Sequence, residues 1–186
     1  MQLWFCSSEV VLRKTLLGIM LCSLASNLCL AQAPAAYKGQ EEKLPVRVAP
    51  QPVSFSHKRH LLEGMPCLDC HANAGEKDQA GLPNAQQCMV CHAAIKASSP
   101  EIKKLAAIHR RGEKLKWVRV YRVPDFVFFS HANHLKAGEK CATCHGPVDQ
   151  REVLDKEVST SMTTCMNCHA SRKVSNDCSL CHQLGY

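Results

Sequence analysis

Large side chains are scarce in this chain. Only 5% of its 186 residues are aromatic, and two are tryptophan. A conventional core of about 150 residues draws on more large apolar side chains than that. Something other than side chains therefore has to fill the interior. Long apolar runs are scarce too. Outside residues 15–30, no segment approaches the roughly 20 apolar residues of a membrane span. The basic residues form no run interleaved with aromatics, which argues against a nucleic-acid surface. Charged residues make up 21% of the chain and the formal net charge is +7, so it is not a one-sign disordered tail.

What is abundant is cysteine. Ten of the thirteen fall in five C-x-x-C-H motifs: Cys67/Cys70/His71, Cys88/Cys91/His92, Cys141/Cys144/His145, Cys165/Cys168/His169 and Cys178/Cys181/His182. The other three, Cys6, Cys22 and Cys29, lie near the start. Disulfide pairs and zinc sites also use C-x-x-C, but neither requires a histidine after every pair. A histidine follows by chance about one time in twenty, so five in five points to covalent c-type haem. In such a motif the two thiols add to the porphyrin vinyl groups and the histidine ligates the iron. On one helical turn all three share a face. Five haems would supply the missing apolar bulk. Their roughly ten propionates would offset the basic sequence.

The beginning of the chain reads as an export signal. Arg13 and Lys14 precede the apolar run 15–30, and Ala31-Gln32-Ala33 is a small-x-small end. Residues 1–33 are expected to be a leader, cleaved somewhere between 31 and 35. An uncleaved anchor is the alternative. Export would put the protein in the periplasm or another extracytoplasmic space, where bacterial c-type haem is attached. Residues 34–45 read as a flexible tether and 46–186 as one domain.

Inside that domain a pattern occurs twice. Phe55-Ser56-His57-x-x-His60 is followed by Gly64 and the motif at Cys67. At a constant offset of 74 residues, Phe129-Ser130-His131-x-x-His134 is followed by Gly138 and the motif at Cys141. The repeat halves are 46–116, with two motifs, and 117–186, with three. Regular structure is expected to be sparse: short helices carrying the motifs, and a helix between residues 93 and 116. The spaced valines of 46–55 and 117–129 suggest a small β ribbon. Residues 152–158 suggest one or two helical turns. Trp117, Tyr121, Phe126 and Phe128 are expected to pack against haem faces and edges.

Histidine counting sharpens the picture. Of ten histidines, five close the motifs. Exactly as many remain, namely His57, His60, His109, His131 and His134, and these are the candidate distal ligands. Met65, Met89, Met162 and Met166 are alternative sixth ligands, with Met162 foremost. The second half has three motifs but only two spare histidines. One ligand therefore crosses between the halves unless methionine substitutes.

The F-S-H-x-x-H segments and the spaced C-x-x-C-H motifs resemble the class III cytochrome c family, the c3 and c7 types, over about residues 53–182. That resemblance implies a haem-nucleated fold. It implies that His57 and His131 ligate the haems attached just downstream, and that His60 and His134 reach other haems. Five motifs, rather than three or four, depart from the family pattern. The segment V-P-D-F-V-F-F-S-H-A-N-H also resembles the pentahaem subunit of bacterial alternative complex III. This second resemblance implies work inside a membrane-bound, quinol-oxidising complex. The expected function is electron transfer between redox-protein partners through closely spaced, mostly bis-histidine haems. No catalytic residue or small-molecule substrate is expected, because an iron ligated on both faces offers no open position. An enzyme would need one five-coordinate haem, often marked by C-x-x-C-K, and no such motif occurs. Intact-mass spectrometry of protein matured in a competent host should show five haem additions, and fewer would defeat the motif reading.

Overall fold

The computed structural model describes residues 36–39 and 42–183; the expected leader lies outside them. Among the described residues there are eight short α-helices and two 3-10 turns. In chain order they are α1 (His57–Leu62), α2 (Cys67–Cys70), a first 3-10 turn (Ala72–Gly75), α3 (Ala85–His92), α4 (Pro100–Arg110), α5 (His131–Lys136), α6 (Cys141–His145), a second 3-10 turn (Val148–Gln150), α7 (Met162–Ser171) and α8 (Cys178–Cys181). The longest, α4, starts with Pro100 at its first turn. That position suits a residue with fixed φ and no N–H. It ends where Gly112 takes φ 64°. The Gly112 N–H donates to the His109 carbonyl and the Glu113 N–H to that of Ile108. Glycine is the residue that adopts this left-handed cap without strain.

Every C-x-x-C-H motif sits on a helix or at its end. α2 and α8 hold the two cysteines with His71 and His182 as the C-cap residues. α3, α6 and α7 include all three. Side chains cap these short helices. Ser56 and Ser130 accept from the backbone N–H of Arg59 and Asn133, three residues on. Asn84 and Gln87 form a reciprocal capping box on α3.

The side-chain core is small. Val53, Ala85, Leu105 and Leu115 are buried together, with Met89, Ile102, Ile108 and Trp117 packed around them. This cluster joins α4 to α3, and its four buried residues all lie in the first half. Trp117 also donates its indole N–H to the Pro83 carbonyl at 2.7 Å. Among the described residues only Ala74 and Ala132 are otherwise fully buried apolar residues. Large apolar side chains inside the motifs are exposed: Leu68, Val90 (80%) and Leu180.

The two halves interlock through backbone. The Lys58 N–H donates to the Arg151 carbonyl at 3.2 Å, and the Ala132 N–H donates to the Lys77 carbonyl at 3.2 Å. Both residues of the second pair are offset by 74 from residues of the first. The H-x-x-H helix of each half therefore docks on the 3-10 segment that follows the first motif of the other. Arg59 adds an ion pair to Glu152 at 3.2 Å.

The expected ribbon is absent. No strand forms among the described residues; two isolated bridges link Val46 to Lys156 and Val127 to His182. Pro45, Pro50 and Pro52 remove N–H donors along the first segment. The side chain of Gln51 takes over the pairing, donating to the Val118 carbonyl and accepting from the Val118 N–H, each at 3.0 Å. The expected turns at 152–158 are also absent, because Lys156 is held extended against Val46. At the start of the described chain, Tyr37 pairs with the Asn167 side chain, and Glu42 bonds Lys156 at 2.7 Å.

Leu105, 4% exposed, is the centre of the small core. Leu105→Ala should lower stability by about 2–4 kcal/mol. In thermal melts, the loss should appear as a lower unfolding midpoint with the haem count unchanged.

Candidate haem-binding sites

The repeated F-S-H-x-x-H segment builds a pair of braced imidazoles. Within α1, His57 and His60 lie one turn apart. The Phe55 ring stacks on His60 with centroids 4.5 Å apart and meets His57 edge-on at 4.8 Å. In α5 the Phe129 ring stands 4.6 Å from His134 and 4.8 Å from His131. The same phenylalanine therefore fixes two rings that face different neighbours.

Those neighbours are motif histidines. The His60 and His92 ring centroids are 6.1 Å apart, His131 and His145 6.3 Å, and His134 and His169 6.2 Å. Direct stacking would be closer, as the phenylalanine contacts show. With a metal–nitrogen bond of about 2 Å on each side, and about 1.1 Å from that nitrogen to the ring centre, two imidazoles sharing one axial metal stand about 6.2 Å apart. Burial, and then the neighbouring His71, push His57 down to about 4. His145 is also held below its ordinary value, by burial first and then by His131 and His71. A depressed value keeps the ring neutral with a free lone pair, the form that binds metal.

Backbone carbonyls set the tautomer. Nδ1 of His60 donates to the Ser56 carbonyl (2.7 Å), His71 to Gly81 (2.8 Å), His92 to Ile95 (2.9 Å), His131 to Asp78 (2.6 Å), His134 to Ser130 (2.7 Å) and His169 to Ser175 (3.2 Å). With Nδ1 carrying the proton, Nε2 is left as the donor atom. This is the usual outer support of a ligating histidine. Gly81 reaches His71 from a left-handed backbone, φ 77°. The ring spacing and the tautomers together fit haem c.

The thiols define which motifs are neighbours. Burial is the first cause raising the Cys67, Cys88, Cys144 and Cys165 thiols above their ordinary range. The next cause names an adjacent motif. It is Cys141 for Cys67, Cys70 for Cys88, Cys168 for Cys144 and Cys144 for Cys165, with Cys181 following for Cys165. The motifs thus lie in one row: that of Cys88, then Cys67, Cys141, Cys165 and Cys178.

Within each motif the two thiols are not equally enclosed. Cys70, Cys88, Cys144, Cys168 and Cys181 are half-buried, whereas Cys67, Cys91, Cys141, Cys165 and Cys178 are exposed. In the motif of Cys88 the order is reversed, with the second cysteine, Cys91, the exposed one. Its partner Cys88 packs against the small core together with Met89, and the Cys88 Sγ–H donates to the Asn84 carbonyl at 3.3 Å. The Cys91 side chain is open to solvent instead. The helix explains the difference. α3 turns Ala85, Cys88 and Met89 toward the core. At 100° per residue, Cys91 falls about 120° from Ala85, outside that inner stripe. Packing against α4 therefore orients Cys88 but not Cys91, so at this motif the side chains fix one thioether position and leave the other to the haem.

The facing imidazole pairs His60–His92, His131–His145 and His134–His169 each lie within one half. His109 stands apart. It is exposed on α4, while Leu105 and Ile108 hold that helix to the first-half core. The ring beside His182 is that of Phe126, 5.9 Å away and inclined by 30°. Met162 is exposed at the start of α7. Met89 packs against the core.

Sequence reading missed what Tyr121 does. Its ring meets His145 edge-on at 4.6 Å, and its hydroxyl donates to the His145 carbonyl at 3.3 Å. That hydroxyl also accepts from the backbone N–H of Glu157 and Val158 at 3.1 and 3.2 Å. It ties the chain after α6 back onto the motif. The carbonyl acceptors were missed as well, since any residue can supply them. The phenylalanine and serine of F-S-H carried a signal, because both recur at the repeat offset.

Comparison with known proteins agrees with this geometry. Residues 31–119 match the family model for the class III cytochrome c family, and residues 127–183 match that for cytochrome c7 and related cytochrome c. The chain is 32% identical over 161 residues to the "Menaquinone reductase, multiheme cytochrome c subunit" of Nitratidesulfovibrio vulgaris strain Hildenborough. The alignment covers 72% of this chain and 77% of that protein.

Tyr121→Phe should keep the ring contact but leave two backbone N–H groups without their acceptor. It should cost about 1–3 kcal/mol of stability. The haem optical spectrum should persist at room temperature and be lost at a lower temperature than in the parent protein.

Proposed function

The chain belongs to the class III multihaem cytochrome c family, and on that premise we propose that it is the electron-transfer subunit of a quinone-coupled membrane complex, working on the extracytoplasmic side. The observation that carries the chemistry is the spacing of facing imidazoles at 6.1–6.3 Å. The relative's role as a subunit of a menaquinone reductase supports the setting.

In this reading the five motifs hold five haems. His60 stands opposite His92, His131 opposite His145 and His134 opposite His169. Covalently held haem supplies one-electron exchange between ferric and ferrous iron. The chain's residues do the rest. Phe55 and Phe129 hold pairs of rings in place, so ligand geometry changes little on electron exchange. The carbonyl-bound Nδ1 protons strengthen the imidazoles as donors, and histidine in place of methionine keeps the potentials low. Imidazoles on both faces exclude substrate from those irons. The row of motifs has two ends, Cys88/Cys91/His92 and Cys178/Cys181/His182, and donor and acceptor proteins dock at these ends. Each end carries an exposed cysteine, Cys91 at one and Cys178 at the other.

An affinity-tagged chain produced in its own host tests this. After mild solubilisation of membranes, it should co-elute with an integral-membrane protein, and the complex should exchange electrons with a menaquinol analogue. Elution alone, as a freely diffusing carrier, would overturn the subunit reading. Turnover of nitrite or hydroxylamine at the rate of a dedicated enzyme would overturn electron transfer as the function.

A further inference from the structure

We propose that Tyr121 is a positioning residue: together with the Asp78 carbonyl it holds His131 and His145 coplanar, and the haem between them is therefore harder to reduce than the haem between the crossed rings of His60 and His92. This rests on the haem reading above and adds to it an order in which the row fills with electrons.

The three facing pairs have nearly equal separations but different twists. The ring planes are inclined by 8° for His131 and His145, by 34° for His134 and His169, and by 72° for His60 and His92. The metal–nitrogen bond lies in the plane of each ligating imidazole, so these inclinations are rotations about the shared axis. Named contacts set them. His131 donates its Nδ1 proton to the Asp78 carbonyl of the other half at 2.6 Å and meets the Phe129 ring at 86°. His145 meets the Tyr121 ring at 78°, with centroids 4.6 Å apart. Tyr121 is itself fixed. Its hydroxyl donates to the His145 carbonyl and accepts from the N–H groups of Glu157 and Val158. The Lys156 ammonium stands 6.0 Å over its ring. Each imidazole of the coplanar pair is thus pinned by an aromatic ring nearly perpendicular to it. The crossed pair is set by local contacts instead. Phe55 stacks on His60 at 25°, the Ser56 carbonyl takes the His60 Nδ1 proton, and the Ile95 carbonyl takes that of His92.

Twist acts on potential through the iron d orbitals. An imidazole donates π density from the orbital perpendicular to its ring. Two coplanar rings raise the same d orbital. The hole of low-spin ferric iron sits in that orbital, so coplanar rings stabilise the ferric state. Two crossed rings raise different orbitals, and the hole gains from only one of them. Ferric iron is then less favoured and reduction is easier. All three pairs use histidine on both sides, so ligand identity, a strong lever on potential, is equal among them. Charge acts in the same direction as twist. α4 packs against α3, which carries His92, and exposes Lys103, Lys104 and Arg110. Positive charge nearby favours an added electron. Among these three haems the first electron therefore settles at the Cys88 end of the row, and the haem of Cys141, in the middle, fills last.

Electron paramagnetic resonance of the frozen holoprotein at successive potentials tests the proposal, with haem counted by mass on each sample. Coplanar rings split the d orbitals widely and give an ordinary rhombic low-spin signal. Crossed rings leave two of them nearly degenerate and give a signal with a large maximal g. The parent protein should show both. His60→Met should remove one haem's worth of the large-g signal. In the parent, that component should vanish on reduction before the rhombic one. Tyr121→Leu should move one haem's worth of the rhombic signal to larger g and shift its loss to a higher potential. Tyr121→Phe, which keeps the ring, should do neither. Where Tyr121→Leu loses haem, Tyr121→Met, which fills the space with a flexible chain, serves in its place. An unchanged signal in the five-haem Leu or Met variant would overturn the positioning role. A parent without the large-g signal, or one whose rhombic signal vanishes first, would overturn the order of filling while leaving the electron-transfer reading intact. Absence of low-spin signals from a five-haem parent would instead defeat the facing-imidazole reading on which the inference rests.

Discussion

The structure depends on holding pairs of imidazoles 6.1–6.3 Å apart. Few side chains are available to do this by packing, since fully buried residues are few and most are small. The chain relies on short-range devices. A serine cap starts each H-x-x-H helix, a phenylalanine braces both rings, and carbonyls hold the Nδ1 protons of His60, His131 and His134. Each contributes only about 1 kcal/mol. Together they remove rotational freedom from the rings, so metal binding need not supply that ordering. Burial completes the arrangement by holding His57 and His145 neutral.

That economy explains the crosswise docking of the halves. A motif helix of four or five residues cannot bury enough surface to be stable alone. Each half instead lends its H-x-x-H helix to the other half's motif loop, through Lys58 to Arg151 and Ala132 to Lys77. Equal contacts on both sides favour one fold over two loosely joined ones. The same crossing brings the equivalent motifs of the two halves together, so that Cys141 adds to the raising of the Cys67 thiol and His71 to the lowering of His145. The middle of the row is thus the meeting point of the halves, and its ends are farthest from it.

Much of this was legible in the sequence, and the limits have physical causes. Covalent attachment needs named residue types at fixed spacing, so the motifs stood out. Spacing does not reveal enclosure, however. Cys88 and Cys91 look equivalent in the motif, yet the first packs against the core and the second is exposed, because α4 covers one stripe of α3. The repeat offset exposed the paired helices because a shared local geometry demands the same serine and phenylalanine. Which ring faces which motif was not legible, since it depends on chain crossings made by backbone groups of Lys77, Asp78 and Arg151. Any residue type could make those bonds. The ribbon failed as an expectation because alternating valines were read without weighing the prolines beside them. Gln51, whose amide copies the hydrogen-bonding pattern of a peptide, supplied the pairing that a strand would have made. The number of spare histidines suggested His109 as a ligand, but a count contains no distances. Its helix is committed to the small core by the leucine and isoleucine on its inner face.

The two ends of the row differ in a way that bears on their use. α4 lies against α3, which carries the motif of Cys88, and it presents exposed Lys103, Lys104 and Arg110. Arg111 follows, partly neutralised by Glu113 at 2.6 Å. Exposed charge of one sign acts over about a Debye length and chiefly raises the rate of encounter with an acidic surface. It adds little to the lifetime of a complex, because exposed pairs are weak. At the other end, Phe126, Phe128 and Leu180 have no reach through water, but they stabilise a close contact by leaving it. Under the proposed function, a subunit that receives electrons from a transient partner and passes them within a lasting complex would use one end of each kind. In this chain the cationic end belongs to the half that owns the side-chain core. The apolar end belongs to the half that has almost none and gains most from being covered.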